Sequence, residues 1–166
     1  MKLKQISSWD SYQSVMLQIT NDEIKSWLLE EGPITKRIKS NKEFKLKLIQ
    51  DEVSAVDESE KQFINYNSTN IRVREVLLFG DEIPMVFART IIPISTIEEG
   101  LADLGTLGNK PLGDILFEKD VFLRGDVLYA SFMNEDKLFW GRKRKYSVKG
   151  YPFSVMEVFL ITQSNE

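Results

Sequence analysis

Apolar and polar positions alternate along several stretches of the chain, and the most apolar of these is IRVREVLLF, residues 71–79. A two-residue period puts Ile71, Val73, Leu77 and Phe79 on one face of a strand, and Val76 and Leu78 on the other together with Arg74. A strand apolar on both faces is expected to be buried on both. Arg74 must then meet an anion, because a guanidinium keeps its proton and an unpaired buried charge is costly. A carboxylate of the protein (Glu75 or another acid) meets that need, and so does a carboxylate of a ligand.

The other elements follow from the same pattern. Trp9, Tyr12, Val15, Met16 and Ile19 are spaced as one helical face. Residues 21–31 predict a helix with Asn21 as its cap, Asp22 and Glu23 at the positive end of the dipole and Ile24, Trp27 and Leu28 as its stripe. Gly32-Pro33 ends it. The basic run at 34–40 reads as a solvated loop or strand edge. Residues 43–50 alternate as a strand with one wet face. Residues 57–70 read as a solvated loop with one helical turn after Asp57; their acids lack the spacing of a calcium loop. Strand 71–79 turns through Gly80-Asp81-Glu82 into strand 83–94. Residues 96–118 read as two short helices, with a Thr96–Glu99 capping box and Gly100, Gly105, Gly108 and Gly113 as hinges of a lid. Three strands at 121–133, 138–148 and 152–162 close the chain as serial hairpins.

Two further charges sit among apolar neighbours. Arg89 lies between Phe87 and Ile91 on its face, which repeats the oddity of Arg74 and favours an anionic ligand over two separate salt bridges. Glu157 shares a face with Phe153, Val155 and Phe159. Desolvation raises the pKa of such a carboxyl group unless a cation is close, and Arg74 or Arg89 is the expected cation. A buried arginine and glutamate facing one cavity would bind an acid and exchange a proton.

Composition narrows the chemistry. The chain has 166 residues, 42% hydrophobic and 28% charged, which suits one domain spanning 1–166. A net charge of −3 provides no basic field for nucleic acid. The cluster Arg142–Lys145 splits between two strand faces and reads as a solvent-edge strand. No apolar run is long enough for a membrane span or a signal peptide, so the cytoplasm is the expected location. The sequence contains no cysteine and no histidine. Disulfides, zinc–thiolate sites, thiol nucleophiles and histidine bases are thereby excluded.

Six segments in order carry a family resemblance: WLLEEGPITKR (27–37), VREVLL (73–78), ARTIIP (88–93), LGNKPLGDILF (107–117), WGRKRKY (140–146) and MEVFL (156–160). In this order, over about residues 21–162, the chain resembles chorismate pyruvate-lyase. The resemblance implies an α+β domain: a six-stranded antiparallel sheet, helices on one side, and helical flaps over an internal ligand cavity. It implies conversion of chorismate to 4-hydroxybenzoate and pyruvate for ubiquinone synthesis, by a cytoplasmic monomer without metal or other cofactor. By motif position, Arg74 and Glu157 take the catalytic roles. Ile34 and Leu112 become flap residues contacting the product, although the family often has Met at the first of these. Arg89 and Arg142 match recurring family positions, with their roles left open. The alternative is a non-catalytic domain of this fold that binds a small aromatic acid, as in bacterial transcription regulators. Those regulators normally carry a helix-turn-helix domain, for which there is no room before Asn21.

Overall fold

In the computed structural model, which describes residues 2–162, seven antiparallel strands form one sheet. The strands are β1 (Lys4–Gln5), β2 (Phe44–Val53), β3 (Ile71–Gly80), β4 (Ile83–Pro93), β5 (Phe122–Asn134), β6 (Lys137–Val148) and β7 (Tyr151–Phe159), in the spatial order β1-β5-β6-β7-β4-β3-β2. Six match the alternating stretches of the sequence. The seventh, β1, is only two residues long and pairs with Met133 and Phe132 at the end of β5. Three hairpins turn on two residues each: Glu135-Asp136, with only Glu135 left-handed (φ 57°), and, left-handed at both positions, Asp81-Glu82 (φ 50° and 66°) and Lys149-Gly150 (φ 51° and 84°). Two left-handed central residues match the twist of a tight hairpin.

Two bulges decide which side chains share a face. Beside the Asp81-Glu82 turn, Phe79 pairs with Pro84, but Leu78 pairs with Val86, so Met85 is an extra residue. Pro84 has no N–H to give to the ladder, which accounts for an irregularity there. A second slip, between Leu48 and Gln50, brings Asp51 opposite Arg74. A one-residue slip moves every later side chain to the other face. Arg74 is therefore opposite Thr90, and Arg89 is opposite Glu75.

The helices are α1 (Tyr12–Val15), α2 (Asp22–Leu28), α3 (Ile34–Lys39), α4 (Glu58–Phe63) and α5 (Leu112–Glu118). On one sheet face Val76, Leu78, Val86, Trp140 and Phe159 pack under Val15, Ile19, Ile24, Leu28, Ile34 and Ile38. On the other, Ile71, Val73 and Ile91 pack under Ile64 and Phe63 at the end of α4. Helices thus lie on both faces, not on one, because the odd-numbered side of β3 is as apolar as the even side and also needs cover.

Several local expectations change. Residues 34–39 are helix, not loop: Pro33 (φ −63°) starts it, and Ile34 and Ile38, one turn apart, are both buried. Residues Glu58–Phe63 are a real helix with an Asp57–Glu60 capping box, and Ile64 at its C-cap is wholly buried. The Thr96–Glu99 box does not form; the Thr96 hydroxyl donates to the Pro152 carbonyl and Glu99 accepts from the Tyr151 hydroxyl. Residues 96–105 form a π turn and a 3₁₀ turn. Trp9 leaves the helical face assigned to it and packs edge-on against Phe132, on the opposite side of the sheet from Tyr12 and Val15. Strand β6 is interior, between β5 and β7, so Arg142–Lys145 is not a solvent edge. No described helix is long and apolar enough to cross a membrane.

Candidate functional site

On the sheet face covered by α2 and α3, neighbouring strands present Arg74 (β3), Thr90 (β4), Val155 and Glu157 (β7), and Arg142, Arg144 and Tyr146 (β6). These side chains line a cavity of about 70 Å³, to whose lining the starts of α3 and α5 also contribute. At on the order of 10–15 Å³ per water, that is room for a handful of waters, which suits one small ring rather than a nucleotide.

Arg74 is 2% exposed and lies at the back of this cavity. Its Nη1 donates to Asp51 Oδ2 at 3.2 Å and to the Gly108 carbonyl at 2.9 Å, and its Nη2 donates to the Lys110 carbonyl at 2.8 Å. Asp51 also accepts from Arg72 Nε at 2.7 Å. Arg74 therefore has an internal ion pair, with Asp51 rather than Glu75, and it also latches the loop leading into α5. Three of its five N–H donors are used, and two have no protein partner. Burial pulls its pKa below the ordinary arginine value and Asp51 opposes that; a guanidinium remains charged at any relevant pH.

Glu157 accepts from Arg142 Nε at 2.9 Å. Its cation is thus Arg142, its direct cross-strand neighbour, and neither Arg74 nor Arg89. Counting back from the Lys149-Gly150 turn, with Val148 opposite Tyr151, would have found this pair in the sequence. Arg142 Nη1 also donates to the Leu28 and Glu30 carbonyls at 2.9 and 2.7 Å, where α2 ends. A cation there satisfies orphan carbonyls and complements the helix dipole. Burial works to lower the Arg142 pKa, but Glu157 outweighs it and the net direction is up.

Ile34 and Leu112 occupy matching positions. Each is the first residue of a short helix, follows a proline, is buried and lines the cavity. No side chain caps either helix, so the first amides of each, Ile34 and Leu112 included, stay available, while the Asp114 amide donates to the Pro111 carbonyl at 3.3 Å. Arg89 does not belong to this group. It lies on the opposite face, bound to Glu60 at 2.7 and 3.0 Å and to Glu75 at 2.9 Å. The two arginines of the hairpin thus form the separate internal ion pairs that the sequence pattern weighed against.

Asp51, Arg124 and Arg144 join the site without standing out in the alternation of the sequence. Arg124 and Arg144 reach Glu31 at 3.2 and 3.5 Å at the edge of the cavity. Arg144 had a signal, since it shares the strand face of Arg142. Asp51 had none without the β2 bulge.

The Chorismate lyase family model matches residues 4–165. The chain belongs to the chorismate lyase family. It is 35% identical over 152 residues to a probable chorismate pyruvate-lyase of Shewanella sp. (strain W3-18-1), covering 82% of this chain and 80% of that one. It is 34% identical over 161 residues to a probable chorismate pyruvate-lyase of Pseudoalteromonas atlantica (strain T6c / ATCC BAA-1087), covering 87% and 82%. Among solved structures, the C-terminal domain of the histidine utilization repressor from Pseudomonas syringae pv. tomato str. DC3000 aligns with TM-score 0.56 at 8% identity, covering 75% of this chain and 100% of that one. A GntR-family transcriptional regulator from Enterococcus faecalis V583 aligns with TM-score 0.52 at 12% identity, covering 76% and 97%. At such identities the likeness is one of fold alone.

Proposed function

We propose that this protein converts chorismate to 4-hydroxybenzoate and pyruvate in the cavity between Arg74 and Glu157. The observation that carries this reading is the convergence of a buried arginine with two unpaired donors and the Arg142–Glu157 pair, buried on its arginine side and half-buried on its glutamate side, on one ring-sized space. Family membership and the names of relatives support it.

Chorismate is a dianion, and four arginines line the cavity against three glutamates. The reaction breaks the ether bond between ring C3 and the enolpyruvyl oxygen and removes the hydrogen at C4. The ring becomes aromatic, and the proton completes the methyl group of pyruvate. Aromatisation supplies the driving force, so the protein has to orient the enolpyruvyl group and stabilise charge on the departing oxygen. Arg74 donates to that oxygen as the C–O bond lengthens. Glu157, held by Arg142, orients the ring hydroxyl and can relay the proton; direct transfer from C4 to the methylene carbon is the other route. Ile34 and Leu112 form the wall of two flaps, and backbone amides of the helix starts face the bound acid. In this reading Arg89 has no part.

Purified protein should release equal amounts of pyruvate and 4-hydroxybenzoate from chorismate, at a rate that EDTA leaves unchanged. Binding of 4-hydroxybenzoate without turnover of chorismate would refute the lyase reading and favour the ligand-sensing alternative. Arg74 holds the Gly108 and Lys110 carbonyls just before the lining residues Pro111 and Leu112; if this loop acts as a flap, product should leave slowly and inhibit. Progress curves that ignore millimolar added product would contradict a closed site. The route that uses the 4-hydroxybenzoate, with ubiquinone synthesis the one expected, is a matter for a gene-deletion strain fed that acid.

A further inference from the structure

A second and larger cavity, of about 1020 Å³, lies on the opposite face of the sheet. Its floor is a row across four strands: Glu75 on β3, Arg89 on β4, Met156 on β7 and Lys143 on β6. Trp9, Phe63, Phe87 and Phe132 contribute aromatic walls. Five basic and three acidic side chains line it, in a chain whose net charge is −3. Cations are therefore concentrated here against the trend of the molecule.

The acids of this cavity are already engaged. Glu60 accepts twice from Arg89, and Glu75 accepts from Arg89 at 2.9 Å. Asp57 caps α4 through the Glu60 amide at 2.9 Å and accepts from the Ser59 hydroxyl at 2.7 Å. Lys2, Lys4 and Lys47 are exposed, and Lys143 is the buried lining cation without a carboxylate partner. It is 8% exposed, with its ammonium 4.6 Å from the Trp9 ring centroid and 4.2 Å from that of Phe63. No carboxylate among the described residues pairs with it; Glu60 and Asp57 act on it only from farther away. Burial lowers its pKa, and those two acids oppose the shift. Two aromatic faces compensate a desolvated ammonium in part, and an anion would complete it.

We propose that this cavity is a second small-molecule site, which takes an aromatic carboxylate of more than one ring with its carboxylate on Lys143 and its rings against Trp9, Phe63 and Phe132. The volume is that of a site for drug-sized ligands, whereas the first cavity has room for one ring. The sheet separates the two, so they fill independently. Lys143 adjoins Arg142 and Glu75 adjoins Arg74 in sequence, so the two floors are opposite faces of the same strands.

The probe is 2-naphthoate, titrated calorimetrically into the whole protein with and without saturating 4-hydroxybenzoate. One naphthoate per chain should bind, with an affinity that 4-hydroxybenzoate changes by less than about twofold. Lys143→Met should weaken binding by about tenfold or more, the scale of a lost charge-assisted contact. Methionine still packs between the two rings, so the fold should persist, and Lys143→Arg should recover most of the affinity. Naphthoate binding that survives Lys143→Met, one-for-one displacement by 4-hydroxybenzoate, or no binding at millimolar concentration would each overturn the proposal. If the methionine variant does not fold, wild-type NMR decides: cross-peaks between naphthoate ring protons and the Trp9 indole are expected, and binding without them refutes the site. None of these readouts depends on chorismate turnover.

Discussion

Arg74→Ala is expected to lower kcat for chorismate by about 10²–10³ or more, the scale on which loss of a preorganised donor to a developing oxyanion is felt, roughly 2.7–4 kcal/mol. The fold should survive. Asp51, the acid beside Arg74, keeps its 2.7 Å contact to Arg72, so the substitution does not strand a buried carboxylate. The variant does release the Gly108 and Lys110 carbonyls. Product inhibition should therefore weaken together with turnover, because the same side chain holds the 108–110 loop before α5. Arg74→Lys keeps the charge but not the two-armed geometry and should recover little. Pyruvate release and a circular dichroism spectrum measure the two halves of this expectation. A properly folded Arg74→Ala protein that turns over within about tenfold of wild type would remove Arg74 from the chemistry.

Arg142→Met should act first on stability. It leaves the half-buried Glu157, 19% exposed, beside no cation and leaves the Leu28 and Glu30 carbonyls at the end of α2 without their donor. Removing one partner of a buried pair typically costs about 3–5 kcal/mol. At roughly 2–4 °C per kcal/mol for a chain of this size, the melting temperature should fall by about 6–20 °C. Removing both charges, as Arg142→Met with Glu157→Leu, should restore a good part of that loss, because the stranded carboxylate is then gone. The double variant should remain inactive if Glu157 orients the ring. A single Arg142→Met protein that melts within about 2 °C of wild type would show that the pair is not a structural tie.

The two substitutions separate the roles that one cavity combines. Arg74 contributes free donors and a latch on the loop before α5, whereas Arg142 spends its donors on α2 and on Glu157. The first should change rate far more than stability. The second should change stability whether or not chorismate is turned over.

Much of this arrangement was legible in the sequence, because alternation and turn chemistry are local. The strands at 71–79 and 43–50 and the three closing hairpin strands follow from a two-residue period, and the Lys149-Gly150 turn alone sets Arg142 opposite Glu157. The absence of histidine and cysteine restricts the chemistry before any fold is known. The helix at 34–39 was missed because its basic residues mask two isoleucines one turn apart, which become a stripe only when a sheet lies beneath them.

Where Arg74 and Arg89 go is a different matter. Counted back from the Asp81-Glu82 turn without a slip, they would be cross-strand partners on one face. One extra residue, Met85, sends them to opposite sides of the sheet, and a second slip in β2 brings Asp51 to Arg74. Alternation determines that a buried charge exists; register determines what it meets. Register depends on which bulge lets both faces of β3 be covered, and that choice is made by the packing of the whole domain rather than by the ten residues of the strand.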